Sequence, residues 1–329
     1  MNTNTRWFAL VLSLCFLGGA ALLEAQTGLK NLNDGAQALA ETLMEAAPHS
    51  AGQGLTWSDA WIGHLISVRP HFGVGASMGA AVPNQGAYSD FTKSMALEGG
   101  DFFVLPAMFA EIRLGGVVLP FDLGFKFGLY KEFKPDNILL EHSVSKNFLS
   151  YGGDIRFALS KGLGAFPKLS IGVGYNYLKG GMNAGLDGIR NYDISGKTLT
   201  VNGGTLDYEW EANIIELKLQ FSKTLSIFTP YLGAASNFSW AASNYRIGDS
   251  TVSYTGGMTS IDADLAGAGI SGLAVTNNGL SAEFEKRGIG TRVFGGCSFN
   301  LFVFRLDLSG FCSFPGLTWG GTLGFRIQT

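Results

Sequence analysis

Charge is scarce in this chain. Only 15% of its 329 residues are Asp, Glu, Lys or Arg, where soluble domains carry about 25%. The net charge is −3 and no basic run occurs, which argues against nucleic acid as a partner. Past the N-terminus, no segment approaches the ~20 apolar residues of a spanning helix, so membrane helices are excluded there. Cysteine is nearly absent. Cys15, Cys297 and Cys312 supply neither a disulfide framework nor a zinc-ligand spacing. No cofactor or metal is expected.

What is abundant is glycine and phenylalanine, 47 and 25 residues, in a chain that is 46% hydrophobic. The N-terminus reads as a secretory signal: Arg6 precedes an uncharged run from Trp7 to Leu23, and Ala25 offers a small residue for cleavage. An uncleaved anchor is the alternative. A lipoprotein reading of "LSLC" at Leu12–Cys15 is weaker, because Cys15 lies inside the apolar run. Residues 28–48 carry the one helical pattern, with Leu29, Leu32, Ala36, Leu39, Leu43 and Ala47 at three- and four-residue spacing. Asn31 or Asn33 is a candidate cap and Pro48 a candidate stop. The expected domains are a signal peptide at 1–25, a helical segment with a linker at 26–60, and the remainder at 61–329.

From about Leu65 onward the pattern changes to a period of two. In "LPFDLGFKFGLY", Leu119 to Tyr130, residues Leu119, Phe121, Leu123, Phe125, Phe127 and Leu129 fall on one face of a strand; Asp122 and Lys126 fall on the other. Ten such strands are expected. They are centred on residues 65–78, 102–114, 119–130, 149–159, 169–177, 208–221, 228–240, 282–297, 302–309 and 317–327. Short links near Gly115, Lys161–Phe166, Lys223–Ser226 and Ser298–Leu301 alternate with long ones near 80–101, 131–147, 179–205 and 241–279. Short turns at one end and long loops at the other is the layout of a transmembrane barrel.

On this pattern the chain resembles a bacterial outer-membrane β-barrel over roughly Trp61 to Thr329. "PHFGVG" at Pro70–Gly75 adds a finer resemblance to barrels of spirochaete type. The resemblance implies an all-β, ten-stranded antiparallel barrel in the outer membrane, with both termini and the helix in the periplasm. It also implies membrane lipid and the barrel-assembly machinery as partners, and small solutes as cargo. The soluble alternative, a β-sandwich, would have to bury ten apolar faces.

The polar faces define a lumen. It is expected to be lined by Arg69, Glu111, Arg113, Asp122, Lys126, Asp154, Arg156, Glu216, Lys218, Arg292, Arg305, Asp307 and Arg326, a balance of +3. Ten strands at ~4.8 Å spacing give a backbone radius of roughly 10 Å, which side chains largely fill. The favoured function is a narrow or gated channel. A closed barrel that displays its loops is the alternative.

Several motifs point elsewhere. "GASMG" at Gly75–Gly79 fits a nucleophile elbow, but Ser77 lies within an alternating strand with no helix after it. "GAGISG" at Gly267–Gly272 matches a dinucleotide fingerprint without the strand that should feed it. Asp136, Glu141 and His142 in an outer loop form no recognisable protease set, and the chain is not expected to be an enzyme.

Three local expectations complete the reading. The apolar phase flips within strands six and eight, which predicts bulges near Ile214 and Arg287; the alternative is that the upper parts of these strands project beyond the membrane, where facing matters less. Cys297 and Cys312 should lie roughly 33 Å apart along their strands, unbridged. The helix carries Lys30, Asp34, Glu41 and Glu45, and is expected to lid the positive lumen at its periplasmic mouth near Arg113, Lys218 and Arg326; a helix that rests on the periplasmic membrane surface, or binds another envelope protein, is the alternative. Deleting it, or reversing Glu41 and Glu45, should then raise conductance.

Overall fold

The computed structural model describes residues 27–66, 70–94, 103–130, 145–162, 164 and 166–329. Ten strands make one closed antiparallel barrel: β1 (Phe72–Val82), β2 (Leu105–Gly115), β3 (Phe121–Tyr130), β4 (Ser145–Lys161), β5 (Lys168–Gly185), β6 (Thr205–Ser222), β7 (Phe228–Gly248), β8 (Gly279–Leu301), β9 (Phe304–Phe314) and β10 (Trp319–Gln328). Each strand pairs with the next in sequence. β10 closes onto β1, from Gln328↔Gly73 to Trp319↔Val82. The first strand begins later than its sequence pattern does, and Arg69 lies outside the described residues.

Alternation sets the wall. Phe125, Phe127 and Leu129 are each about half exposed on the outside, while Asp122 and Lys126 are buried inside. Similar outward rows recur around the barrel, including Val74, Leu217, Leu232 and Leu323. An apolar belt of this extent matches the lipid-facing band of transmembrane barrels. Aromatic rings mark its two edges. Phe121–Phe157, Phe228–Phe299 and Phe304–Phe325 pair at 6.0, 5.5 and 5.8 Å at the short-turn end. Tyr151–Tyr177 and Phe238–Trp240 pair at 5.0 and 4.7 Å toward the long-loop end.

The bulges expected near Ile214 and Arg287 are absent. Ile214 pairs regularly with Asn176 and Ser239, and Arg287 with Trp240. The register shifts instead between Ala158 and Ser160, where β4 meets β5. The phase change has a different cause. On β6 the outward row passes from Phe221, Leu219, Leu217 and Ile215 to exposed Glu211 and Glu209, as the strand leaves the belt. The inward row passes from Glu216 to buried Ala212, Trp210 and Tyr208, as the interior becomes an apolar core. On β8, exposed Glu283, Glu285 and Arg287 succeed Ile289 in the same way. The strands continue straight while both environments change.

Strands β5 to β8 therefore stand as a tall wall above the belt, while β9, β10, β1 and β2 stop lower. Residues 315–318 join β9 to β10 directly, so the rim is low there. Above the tall wall, a hairpin of Ile189–Ile194 and Lys197–Asn202 carries Thr251–Tyr254 on one edge and, in parallel, Thr27–Gly28 on the other. Lys197 and Tyr254 bond Asp264 at 2.7 and 2.8 Å in the adjoining loop helix and hold its carboxyl below the usual carboxylate range.

Helix α1 (Leu29–Ala51) lies inside the barrel. Leu29, Leu32, Ala36, Leu39 and Leu43 are buried, while Lys30, Asp34, Gln37 and Glu41 keep a polar face exposed. It starts two residues before Asn31 and runs past Pro48, which was expected to stop it. Pro48 removes one backbone donor, but cationic wall side chains donate to the last carbonyls, as described below. Helix α2 (Gln85–Ser94) packs on it from the first long loop.

Cys297 and Cys312 are free. Their separation is smaller than the pattern predicts. Cys312 sits opposite Val293, four residues from Cys297 along β8, or about 13 Å at ~3.3 Å per residue. That still exceeds the ~7 Å a disulfide tolerates. The turn lies at Phe302 and Val303, not near Asn300, which accounts for the difference.

Candidate functional site: the filled lumen

The N-terminal segment threads the whole barrel. Thr27–Gly28 pairs with Tyr192–Asp193 at the long-loop end. α1 occupies the adjoining half of the lumen, residues 52–63 occupy the other half, and His64 bridges to Gly116 at the short-turn end. The lid expected at the short-turn mouth is thus a plug that spans the interior. The N-terminal end of the described chain sits at the opposite end from that expected.

In the long-loop half the plug is held by hydrocarbon. Leu32, Ala36, Leu39 and Leu43 pack within one core with Tyr208, Trp210, Tyr245 and Ile247 of the wall and Phe91 of α2. Phe91 lies edge-on to Tyr208 at 5.6 Å, and Phe103 to Trp210 at 6.2 Å. Tyr208 also donates to the Ala36 carbonyl at 3.2 Å.

In the short-turn half the plug is held by charge and backbone. Arg113 pairs with Asp122 at 2.5 Å and with Asp154 at 2.8 Å; Arg156 joins Asp122 at 2.8 Å. Lys218 bridges Asp154 and Glu216 at 3.2 and 3.3 Å, and Arg292 meets Glu216 at 2.9 Å. Arg326 meets Asp307 at 3.2 Å. The same cations reach the plug. Arg292 donates to the carbonyls of Gly52 and His49 at 2.6 and 3.3 Å, Arg113 to Leu55 at 3.3 Å, and Arg156 to Asp59 at 2.8 Å. Lys126 donates to the Ala51 carbonyl and, at 3.5 Å, to Gly54. Cations at a helix C-terminus complement its dipole as well as its free carbonyls.

All the lumen residues expected from the sequence, apart from Arg69, fall inside the described wall. Arg113 and Asp122 are 0% exposed and Glu216, Arg156, Arg292 and Arg326 are 1% exposed; only Arg305 is appreciably open. Such burial means a packed interior. Next to Gln53, Trp57, Glu111 and Arg326 the free space is about 20 Å³, room for about one water.

Two plug residues that the alternation could not reveal complete the network. Trp57 donates to Glu111 at 2.6 Å. Asp59 lies between Lys168, Arg305 and Arg326 at 3.1, 3.4 and 3.5 Å and accepts from Gln328 at 3.1 Å. The signal was the surplus of positive charge on the wall, which required an acid from elsewhere in the chain. The helix acids do not fill that role. Glu41 is exposed, and Glu45 pairs with Lys286 at 2.6 Å in the other half. Ser77 of the elbow-like motif faces inward and donates to Glu111. Gly267–Gly272 closes a short loop helix, and Asp136, Glu141 and His142 lie outside the described residues.

Fold and interior together define a plugged, ten-stranded transmembrane-type β-barrel. No family model and no curated protein matches the chain. Among solved structures it is similar to the toluene transporter TbuX of Ralstonia pickettii, at 10% identity over 93% of this chain and 100% of that one, with a TM-score of 0.27. It is also similar to the β domain of the Bordetella autotransporter BrkA (10%; 79% and 99%; 0.28) and to LpxR of Salmonella typhimurium (8%; 77% and 99%; 0.25). Likeness at this level assigns neither substrate nor activity. The spirochaete-type resemblance of Pro70–Gly75 finds no support among these structures.

Proposed function

We propose that the chain is a gated channel for small solutes in a bacterial outer membrane, shut in this state by its own N-terminal segment. The observation that carries the reading is the make-up of the short-turn half. Arg113, Lys126, Arg156 and Arg292 hold the plug largely through its backbone carbonyls. Water can replace such bonds when the segment moves, and no barrel ladder has to break. Among the described residues, the backbone pairings of the plug are those of Thr27–Gly28 with the loop sheet and of His64 with Gly116, outside the ten-strand ladders, so its release leaves all ten strands paired. Lipid would cover the belt, and the assembly machinery would insert the barrel with its short turns in the periplasm. Passage rather than catalysis is the role assigned to the lumen charges.

Planar-bilayer recording tests the reading. The full chain should show rare openings, and a variant lacking residues 27–62 should conduct steadily. A deletion variant that folds, shown by heat-modifiable migration, yet stays silent would overturn it. The tall wall and its loop sheet favour a second reading, a closed barrel that displays loops, and that silent variant would support it.

A further inference from the structure

A cavity of about 150 Å³ lies between the plug and the wall, at the level where β7 and β8 leave the apolar belt. It is lined by Met44, Glu45, Pro48 and His49 of α1, by Asn237, Ser239, Lys286, Gly288 and Gly290 of the wall, and by Pro315 of the low rim. We infer that this crevice is a binding site for a small zwitterion of amino-acid size. The inference rests on the channel reading for its purpose and names the class of solute admitted.

Size is the first ground. A cavity of this volume holds a molecule of about six non-hydrogen atoms. The room exists because the inward position of β8 at this height is Gly288; at Gly290, one step closer to Arg292, the Asn237 amide and the His49 ring already fill the space a Cβ would take. Beyond Gly288, an added Cβ would meet no atom within 4 Å.

Charge is the second ground. Glu45 and Lys286 form a pair at 2.6 Å, with side chains 34% and 33% exposed, so they stand at the mouth and not in the sealed interior. The low rim leaves them open to the long-loop side. Gly316, with φ +86°, lets the chain pass close to the Glu45 carboxylate; a Cβ there would lie 2.4 Å from it. A net anion at this mouth would have to compete with Glu45, and a net cation with Lys286. A ligand with one charge of each sign can insert into this pair with both charges kept in contact with an opposite one: its carboxylate replaces Glu45 beside the lysine and its ammonium replaces Lys286 beside the glutamate.

The polar groups deeper inside are few and neutral in kind. Asn237 and Ser239 are 2% and 7% exposed, His49 is 2% exposed, and the Asn237 amide and His49 ring approach to 3.5 Å. Met44, Pro48 and Pro315 supply an apolar side for a short hydrocarbon stub. Few polar groups on a largely apolar lining is the usual make-up of a small-molecule site.

Equilibrium binding to the refolded full chain, by titration calorimetry at neutral pH and low salt, tests this without requiring conduction. Three probes of matched size are used: L-alanine as the zwitterion, butyrate as the anion and glycerol as the neutral polyol. Alanine should bind at least tenfold more tightly than the other two. Gly288→Val should abolish alanine binding while keeping the wild-type melting midpoint, since the added methyls enter free space. Lys286→Met should weaken alanine about tenfold and leave glycerol unchanged. Equal binding of glycerol and alanine, no binding of any probe, or wild-type affinity in Gly288→Val would each overturn the site. Those failures are separate from that of the channel reading, which is decided by the conductance of the plug deletion.

Discussion

The two halves of the lumen hold the same segment by opposite means. Toward the long loops, Leu32, Leu39 and Leu43 are sealed against tyrosine and tryptophan. Toward the short turns, a lattice of guanidinium, ammonium and carboxylate groups surrounds an irregular stretch of backbone. Apolar burial is non-directional and requires shape only. Buried ion pairs require each partner to be in place, and a cation left alone in such a site costs several kcal/mol. The helical half therefore anchors the plug, and the irregular half registers its position.

A charge placed in the anchoring half should do the most damage. Leu39 is 1% exposed, and Leu39→Asp should lower stability by about 4 kcal/mol, read as the midpoint of heat-modifiable migration. In the charged half, Asp122→Ala removes a partner of both Arg113 and Arg156. Its cost should be smaller, about 2–3 kcal/mol, because Asp154 and the Asp59 carbonyl remain and water can enter from the short-turn mouth. Hydrogen exchange at the Ile62 amide, which donates to Asp122 at 3.2 Å, should accelerate while α1 stays protected. If Asp122→Ala proves the more damaging of the two, the division into anchor and register is wrong.

A finer test lies within the anchoring half. Tyr208→Phe removes only the hydroxyl that reaches Ala36 and should cost about 1 kcal/mol. A much larger loss would mean that polar contacts matter there as well. The smallest effect concerns the loop sheet outside the lumen. Asp264 is held below the ordinary carboxylate range by Lys197 and Tyr254. Its contribution is therefore complete above that range and fades as the pH drops below it. Exchange at Thr251–Tyr254 should rise in acid while the barrel ladders remain protected. Simultaneous loosening of both would show that the sheet and the barrel are one unit.

Much of this could be read from the sequence. Alternation alone places Asp122, Lys126, Asp154, Glu216 and Arg292 on the inner face, because a period of two fixes facing wherever one face must be apolar. The bulges that the sequence predicts do not form, because the phase of β6 reports not only facing but also what lies on each side. Tyr208 and Trp210 face inward because a helix fills the lumen at their height, and alternation within one strand carries no trace of a distant helix. The path of the plug was hidden for the same reason. Nothing local to Trp57 or Asp59 says that Glu111 and Arg326 will meet them. Glu41 was expected to seek the positive wall, but helical periodicity decides its face, and that face is the exposed one.

Asp59 touches strands that come together only when the ring is complete. Arg326 and Gln328 belong to the final strand, Arg305 to the one before it and Lys168 to the far side. The closing ladder joins Val74 to Ile327, residues almost a whole chain apart. Contacts of such sequence separation carry the highest entropic cost and form late. A single carboxylate on the thread gains its full set of partners at that same moment. The segment that obstructs the lumen thereby also rewards the last joining event, so the thread favours closure of the ring even though the closed ring does not require it.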